Sequence, residues 1–343
     1  MPLSLYPSVY IVAAGGVMLR RALLIVLVLC WSGAACAADI VDATGRHVQV
    51  PDHIARVLPA GPPAAVLLAA LAPDLMLGWP EPLSPEARAY LSPEAAALPV
   101  VPRVTGHADV STAVAALHPD LIFDYGTVSP RYADLARATQ QRTGIPTILL
   151  DGSMTQIPQV IRRLGGILHR EARATVLADF TAALLALPVP AGAYPRVLCA
   201  RGSDGLTVVA PGTDVAGVFT QLGWQVVAPP GQGAFRQATI DDIRALNPDV
   251  LVFSDPAMRA TLAQSAAWQS LRAVHDGHAL VAPALPFGWI EEPPSINRLL
   301  GVAWLSGRDP MTLAAAFNAV VYGRVLTAAQ LNGALAGVRT MPP

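Results

Sequence analysis

Past residue 55 the chain alternates short apolar runs with segments whose apolar residues recur at helical spacing. Ala116-Leu-His-Pro-Asp-Leu-Ile-Phe-Asp-Tyr125 and Ala245-Leu-Asn-Pro-Asp-Val-Leu-Val-Phe-Ser254 share Ala-Leu-x-Pro-Asp followed by an apolar or nearly apolar run. Each predicts a helix end, a proline stop and a buried strand. Arg56-Val-Leu58 and Arg196-Val-Leu198 open similar runs that end in the loops Pro59-Ala-Gly-Pro-Pro63 and Ala200-Arg-Gly-Ser-Asp-Gly205. The order is the same in both halves. Strands alternating with helices favour βαβ units, so the expectation is an α/β protein of two Rossmann-like lobes.

Between the halves, Gly165-Gly166 interrupts one helical stretch. From Glu171 the spacing of Ala174, Leu177, Phe180, Ala183-Leu184 and Leu187 predicts a helix of about 17 residues, stopped by Pro188 and Pro190. A single long helix joining the lobes is expected, with an ordinary crossover helix within one sheet as the alternative. The expected boundaries are 1–37 for a leader, 38–152 for the first lobe, 153–190 for the linker with its helix, and 191–343 for the second lobe with terminal helices. In that last part Ile296, Leu299-Leu300 and Ala303-Trp304-Leu305 repeat at helical spacing and are expected to cover the second sheet.

The leader has the three-part layout of a secretory signal. Arg20-Arg21 precedes the apolar run Ala22–Leu29, and Ala35-Cys36-Ala37 supplies a small-x-small cleavage site. Met18 serves as an alternative start. The run is shorter than the roughly 20 residues a spanning helix needs. Cleavage after Ala37 and a periplasmic location are expected, and a lipid anchor on Cys36 is disfavoured by Gly33. These 37 residues hold two of the 23 basic residues and none of the 24 acidic ones, so the remainder carries a net charge of −3 and Cys199 alone of the 3 cysteines. No intrachain disulfide is then possible. All 23 basic residues are Arg, and near-neutral charge with no basic cluster excludes nucleic acid as a partner.

Enzyme signatures are missing from the pattern. Gly202-Ser-Asp-Gly205 lacks the glycine two residues ahead of the serine that a nucleophile elbow uses, and a phosphate-binding G-x-x-x-x-G-K-S/T is impossible without lysine. The expectation is a non-enzyme with no catalytic residue, resident metal or cofactor. His275-Asp-Gly-His278 reads as a turn rather than a metal pair. The informative positions are loops at the carboxyl ends of predicted strands, where open α/β sheets bind ligands. There Trp79, Arg103, His107 and Tyr125 in the first half, and Arg201, Ser203, Asp204, Phe287 and Trp289 in the second, are the candidate ligand-binding residues. Aromatics interleaved with arginines suit a bulky, partly apolar or anionic ligand.

The chain resembles the periplasmic substrate-binding proteins that serve ABC importers of iron-siderophores, haem and cobalamin. The resemblance rests on Asp42–Pro51, Ala116-Leu-His-Pro-Asp120, Thr143-Gly-Ile-Pro146, Leu164–Arg173, Leu246-Asn-Pro-Asp249 and Trp304-Leu305, in that order behind a leader. It implies two lobes joined by one long helix, a ligand in the cleft between them, little hinge motion, a monomer, and an ABC permease with its ATPase as partners. Members of that family carry a Glu on the helix before each Pro-Asp element to meet permease arginines. Here those positions read Thr112 and Asp241, with Asp109 one turn earlier as the substitute, so Asp109 and Asp241 are the expected docking acids. The resemblance also frames the ligand: haem carriers place a Tyr or His on iron, for which Tyr125, Tyr132 and His107 are available, and siderophore carriers use Arg with aromatics. The wealth of aromatics favours a ferric chelate over an oxyanion such as molybdate. An extracytoplasmic enzyme or redox sensor on the same fold is the competing class, and it would need a pKa-shifted pair near Asp204 or Asp255.

Overall fold

The structure, a computed structural model, describes residues 37–106, 109–189 and 195–339. Residues 1–36 of the expected leader, Cys36 included, and His107 fall outside these residues.

Strands β1 (Ala37–Val41) and β2 (His47–Pro51) form an antiparallel hairpin, followed by β3 (Val57–Pro59), β4 (Leu121–Gly126) and β5 (Thr147–Asp151), a parallel sheet in the order β3-β4-β5. The second sheet comprises β6 (Arg196–Arg201), β7 (Thr207–Val209), β8 (Gln225–Val226), β9 (Phe235–Gln237), β10 (Val250–Phe253) and β11 (Ala279–Val281). Its order is β11-β10-β6-β7-β9 with β8 also on β6; β6, β8, β10 and β11 run parallel and β7 and β9 antiparallel to their neighbours. The principal helices are α1 (Pro62–Leu71), α2 (Ser111–Ala116), α3 (Pro130–Thr143), α4 (Ile157–Ile167), α5 (Glu171–Leu185), α6 (Gly217–Gln221), α7 (Ile240–Leu246), α8 (Arg298–Leu305), α9 (Pro310–Val321) and α10 (Ala328–Ala334).

The internal echo is structural as well as sequential. In Ala-Leu-x-Pro-Asp the variable residue, His118 or Asn247, takes a left-handed conformation with φ of 45° or 43°, turning the chain out of the helix. The aspartate then ties the start of the neighbouring strand: Asp120 accepts the Arg56 N–H at 2.9 Å, and Asp249 accepts the Arg196 N–H at 2.9 Å.

Alternation along the strands divides each sheet between two cores. Val57, Leu121, Phe123 and Tyr125 on one side, and Val197, Cys199, Val250 and Val252 on the other, all enter one continuous apolar core that spans both lobes. The intervening residues enter a private cluster on each outer face, with Leu58 and Ile122 in one and Leu198, Ala200, Leu251 and Phe253 in the other. The joining helix α5 contributes Ala174, Leu177, Ala178 and Leu184 to the shared core and packs on α8.

Three details differ from expectation. Helix α5 ends at Leu185, leaving Ala186-Leu187 as a turn, so it has 15 residues rather than 17. It is not a lone strut, because α4 packs against it; a Cβ on Gly165 would lie 2.2 Å from that of Ala174, which is why glycine stands where the two helices meet. The terminal helices also reach back to the first lobe instead of covering only the second sheet. Asn318 Nδ2 donates to the Tyr90 carbonyl at 2.7 Å, and the Tyr90 hydroxyl donates to the Gln330 carbonyl at 2.7 Å.

Candidate functional site

A cavity of about 850 Å³ lies between the lobes. Its floor is set by strand ends: Asp124, Tyr125 and Gly126 at the end of β4, Gly152 just past β5, and Arg201 at the end of β6. One wall comes from the loop after β11, where Ala284–Phe287 and Glu291–Pro294 line the space. This is the edge at which open parallel sheets present ligand-binding loops.

Of the sequence-predicted residues, Trp79, Arg103, Tyr125, Arg201 and Phe287 line the cavity. Trp79 and Phe287 bring the two lobes into aromatic contact, with ring centroids 5.6 Å apart, and the Trp79 Nε1–H is satisfied by the Ala95 carbonyl at 2.8 Å. Tyr125 is buried, and its hydroxyl has no hydrogen-bond partner among the described residues. Tyr132 also lines the space.

Three predicted residues stand elsewhere. Ser203 and Asp204 sit in an exposed turn after β6, where Asp204 Oδ1 accepts the Leu206 N–H at 3.0 Å; the tight turn points them away from the cleft lining. Trp289 is buried against α8 instead of the cavity: a Cβ on Gly301 would meet its carbonyl at 2.3 Å. Asp109 and Asp241 are exposed, Asp109 accepting from the Ser111 N–H and hydroxyl and Asp241 pairing with Arg244 one turn on.

Two of the lining arginines already face carboxylates. Arg103 is paired with Glu81. Arg201 lies over the Phe235 ring at 4.7 Å, with Nη2 3.3 Å from Glu292 Oε1 and Nε 3.6 Å from Glu291 Oε1. Glu291 is buried, accepts the Ser254 hydroxyl at 2.9 Å, and has its carboxyl pushed up to about 7 by desolvation, which outweighs the attraction of Arg201. Burial likewise raises Glu292, and pushes Asp124 up to about 6 against a single backbone hydrogen bond.

Five lining residues, Asp124, Asp214, Glu291, Glu292 and Arg298, were given no role from sequence. Arg298, at the start of α8, is buried and donates to the carbonyls of Gly152 in one lobe and Asp214 in the other. Asp124 had a visible signal, a lone acid inside the apolar run Leu-Ile-Phe-Asp-Tyr. The Glu pair had a weaker one, in a Pro-rich loop. Glu292 takes φ of 68° there, an unfavourable conformation for a non-glycine residue that the surrounding loop imposes. Nothing local marks Arg298. Cys199 on β6 is buried and its thiol is pushed up by desolvation, an inert core residue. Among the described residues, no three His, Cys, Asp or Glu side chains gather as metal ligands.

Two α/β lobes over a shared core, with a cleft at their strand ends, define a two-lobed solute-binding protein. Residues 67–284 match the periplasmic binding protein family, and the chain belongs to it. No curated protein matches the sequence. Among solved structures, an ABC transporter solute-binding protein from Sulfurospirillum deleyianum is 21% identical, with a TM-score of 0.78 over 88% of this chain and 99% of that one. The Haemophilus influenzae protein MolA, bound to molybdate, is 17% identical, with a TM-score of 0.65 over 84% of this chain and 99% of its own. The S. aureus protein IsdE, complexed with heme, is 17% identical, with a TM-score of 0.54 over 74% and 97%. The family and fold are those of transport solute-binding proteins, which work with a permease and an ATPase.

Proposed function

We propose that this protein carries a preassembled iron chelate, a ferric siderophore ahead of haem or cobalamin, through the periplasm to an ABC permease and its ATPase. The observation that carries this reading is the cavity of about 850 Å³ with Trp79, Phe287, Tyr132 and Phe235 in its lining. That volume lies in the range of sites that enclose drug-sized ligands. A bare oxyanion such as molybdate would leave most of it unfilled. The carrier is secreted by its leader, acts as a monomer without resident cofactor or catalysis, and presents Asp109 and Asp241 to the permease.

A thermal-shift series on the secreted chain with ferric siderophores, haemin, cobalamin and molybdate tests the proposal. A carrier gains stability from ligand concentration relative to its dissociation constant. A rise in Tm that grows with ferric siderophore concentration is the expected result. A rise with haemin, cobalamin or molybdate and none with any ferric siderophore would overturn the iron-siderophore reading.

A further inference from the structure

Carboxylates outnumber guanidiniums in the cleft lining, and two of them, Asp124 and Asp214, face no cationic side chain among the described residues. Arg103 is taken by Glu81, and Arg201 is shared between Glu291 and Glu292. Arg298 is buried and turned to main-chain carbonyls. Asp124, 7% exposed, receives only the Tyr125 N–H on Oδ1, and its Oδ2 has no partner among the described residues. Asp214 lines the same cavity with a buried Oδ2 that is also unpartnered. A buried carboxylate oxygen without a partner is costly, and the cavity wall keeps one, Asp214 Oδ2, together with the buried side chain of Asp124.

We infer that the cleft selects a ligand complex of neutral or positive net charge bearing an ammonium-type cation, which is received by Asp124, Asp214 and the Glu292 side of the Arg201 cluster. This rests on the chelate-carrier reading and specifies the charge class of its cargo. A polyanionic chelate would meet this wall with repulsion, and at Arg201 would compete with two carboxylates 3.3 and 3.6 Å away. A cationic group supplies the donors that Asp124 and Asp214 lack, at no cost to the existing pairs.

Two ferric complexes of nearly the same size separate the alternatives: ferrioxamine B, which carries a free ammonium, and its N-acetyl derivative, which does not. Titration by quenching of tryptophan fluorescence is expected to give at least tenfold tighter binding of the ammonium form. The isosteric variants Asp124→Asn and Glu292→Gln should each shrink that ratio several-fold. A ferric tris-catecholate, a trianion, should bind more weakly than either. Equal affinities for the pair, or tighter binding of the trianion, would overturn the charge inference while leaving a chelate carrier intact. If no ferric complex binds, the siderophore reading falls and the charge inference that rests on it falls as well.

Discussion

Arg201 and Glu292 face each other across the second lobe's side of the cleft, Nη2 to Oε1 at 3.3 Å, with Glu291 behind them at 3.6 Å from Arg201 Nε. One cation therefore serves two carboxylates, one of them buried. Their proximity couples the protonation of Glu291 to the charge on Arg201 and Glu292.

Glu291 and Asp124 make stability fall as pH rises. Each holds its proton more tightly folded than unfolded, Glu291 at about 7 against a usual 4.5 and Asp124 at about 6 against 3.8. Their contribution is complete below the unfolded value and is lost as pH climbs through the folded one. At about 1.4 kcal/mol per pH unit, each removes about 3 kcal/mol. Urea denaturation should show a higher midpoint at pH 5 than at pH 8. Glu291→Gln, which can keep a contact to Ser254, should flatten that slope; an unchanged slope would remove Glu291 as its source.

Arg201→Ala leaves the Glu pair without its cation. Because Arg201 is partly exposed, the expected loss is modest, about 1–2 kcal/mol at pH 8. The loss should shrink at pH 5, where Glu291 is protonated and needs no counter-charge. Thermal melts at the two pH values read this, and an equal loss at both would locate the effect in packing on Phe235 instead.

Gly288→Ala should disable the cleft. A Cβ there would stand 1.7 Å from the Glu291 carbonyl, so the loop that presents Phe287, Glu291 and Glu292 has to move. At least a tenfold loss of affinity for the identified ligand is expected, with far-UV circular dichroism retained. Wild-type affinity would show that the loop is dispensable.

Asp42 is a structural counterpart to these residues. Burial raises its carboxyl, but hydrogen bonds from Thr44 and Arg46 outweigh burial and hold it below the usual carboxylate range. Arg46 also donates to the Thr147 carbonyl at 2.7 Å, tying the β1-β2 hairpin to β5. Asp42→Ala should cost about 2–4 kcal/mol in chemical denaturation, since a buried network loses its acceptor. Ligand affinity should stay as it is.

Much of the architecture was readable from the chain. The repeated Ala-Leu-x-Pro-Asp located β4 and β10, because a proline stop and a continuous apolar run are local events. The joining helix was readable from Leu177 and its neighbours, although its end was misplaced by two residues where helical spacing continued into a turn. Loops at strand ends gave Trp79, Arg103, Tyr125, Arg201 and Phe287 a place in the cavity lining. The same reasoning misdirected Ser203, Asp204 and Trp289, since position after a strand does not say whether a loop turns toward the cleft or away from it.

The sequence by itself determined the α/β alternation, the pair of lobes and the strand-end loops, all of which follow from periodicity and turn chemistry within a few residues. Only the tertiary structure decided the electrostatics of the cleft. Arg201 meets carboxylates some ninety residues away, Arg298 ties carbonyls of both lobes, and burial raises the Asp124 carboxyl. Charge pairing and desolvation depend on distances through space, and spacing along the chain does not encode them.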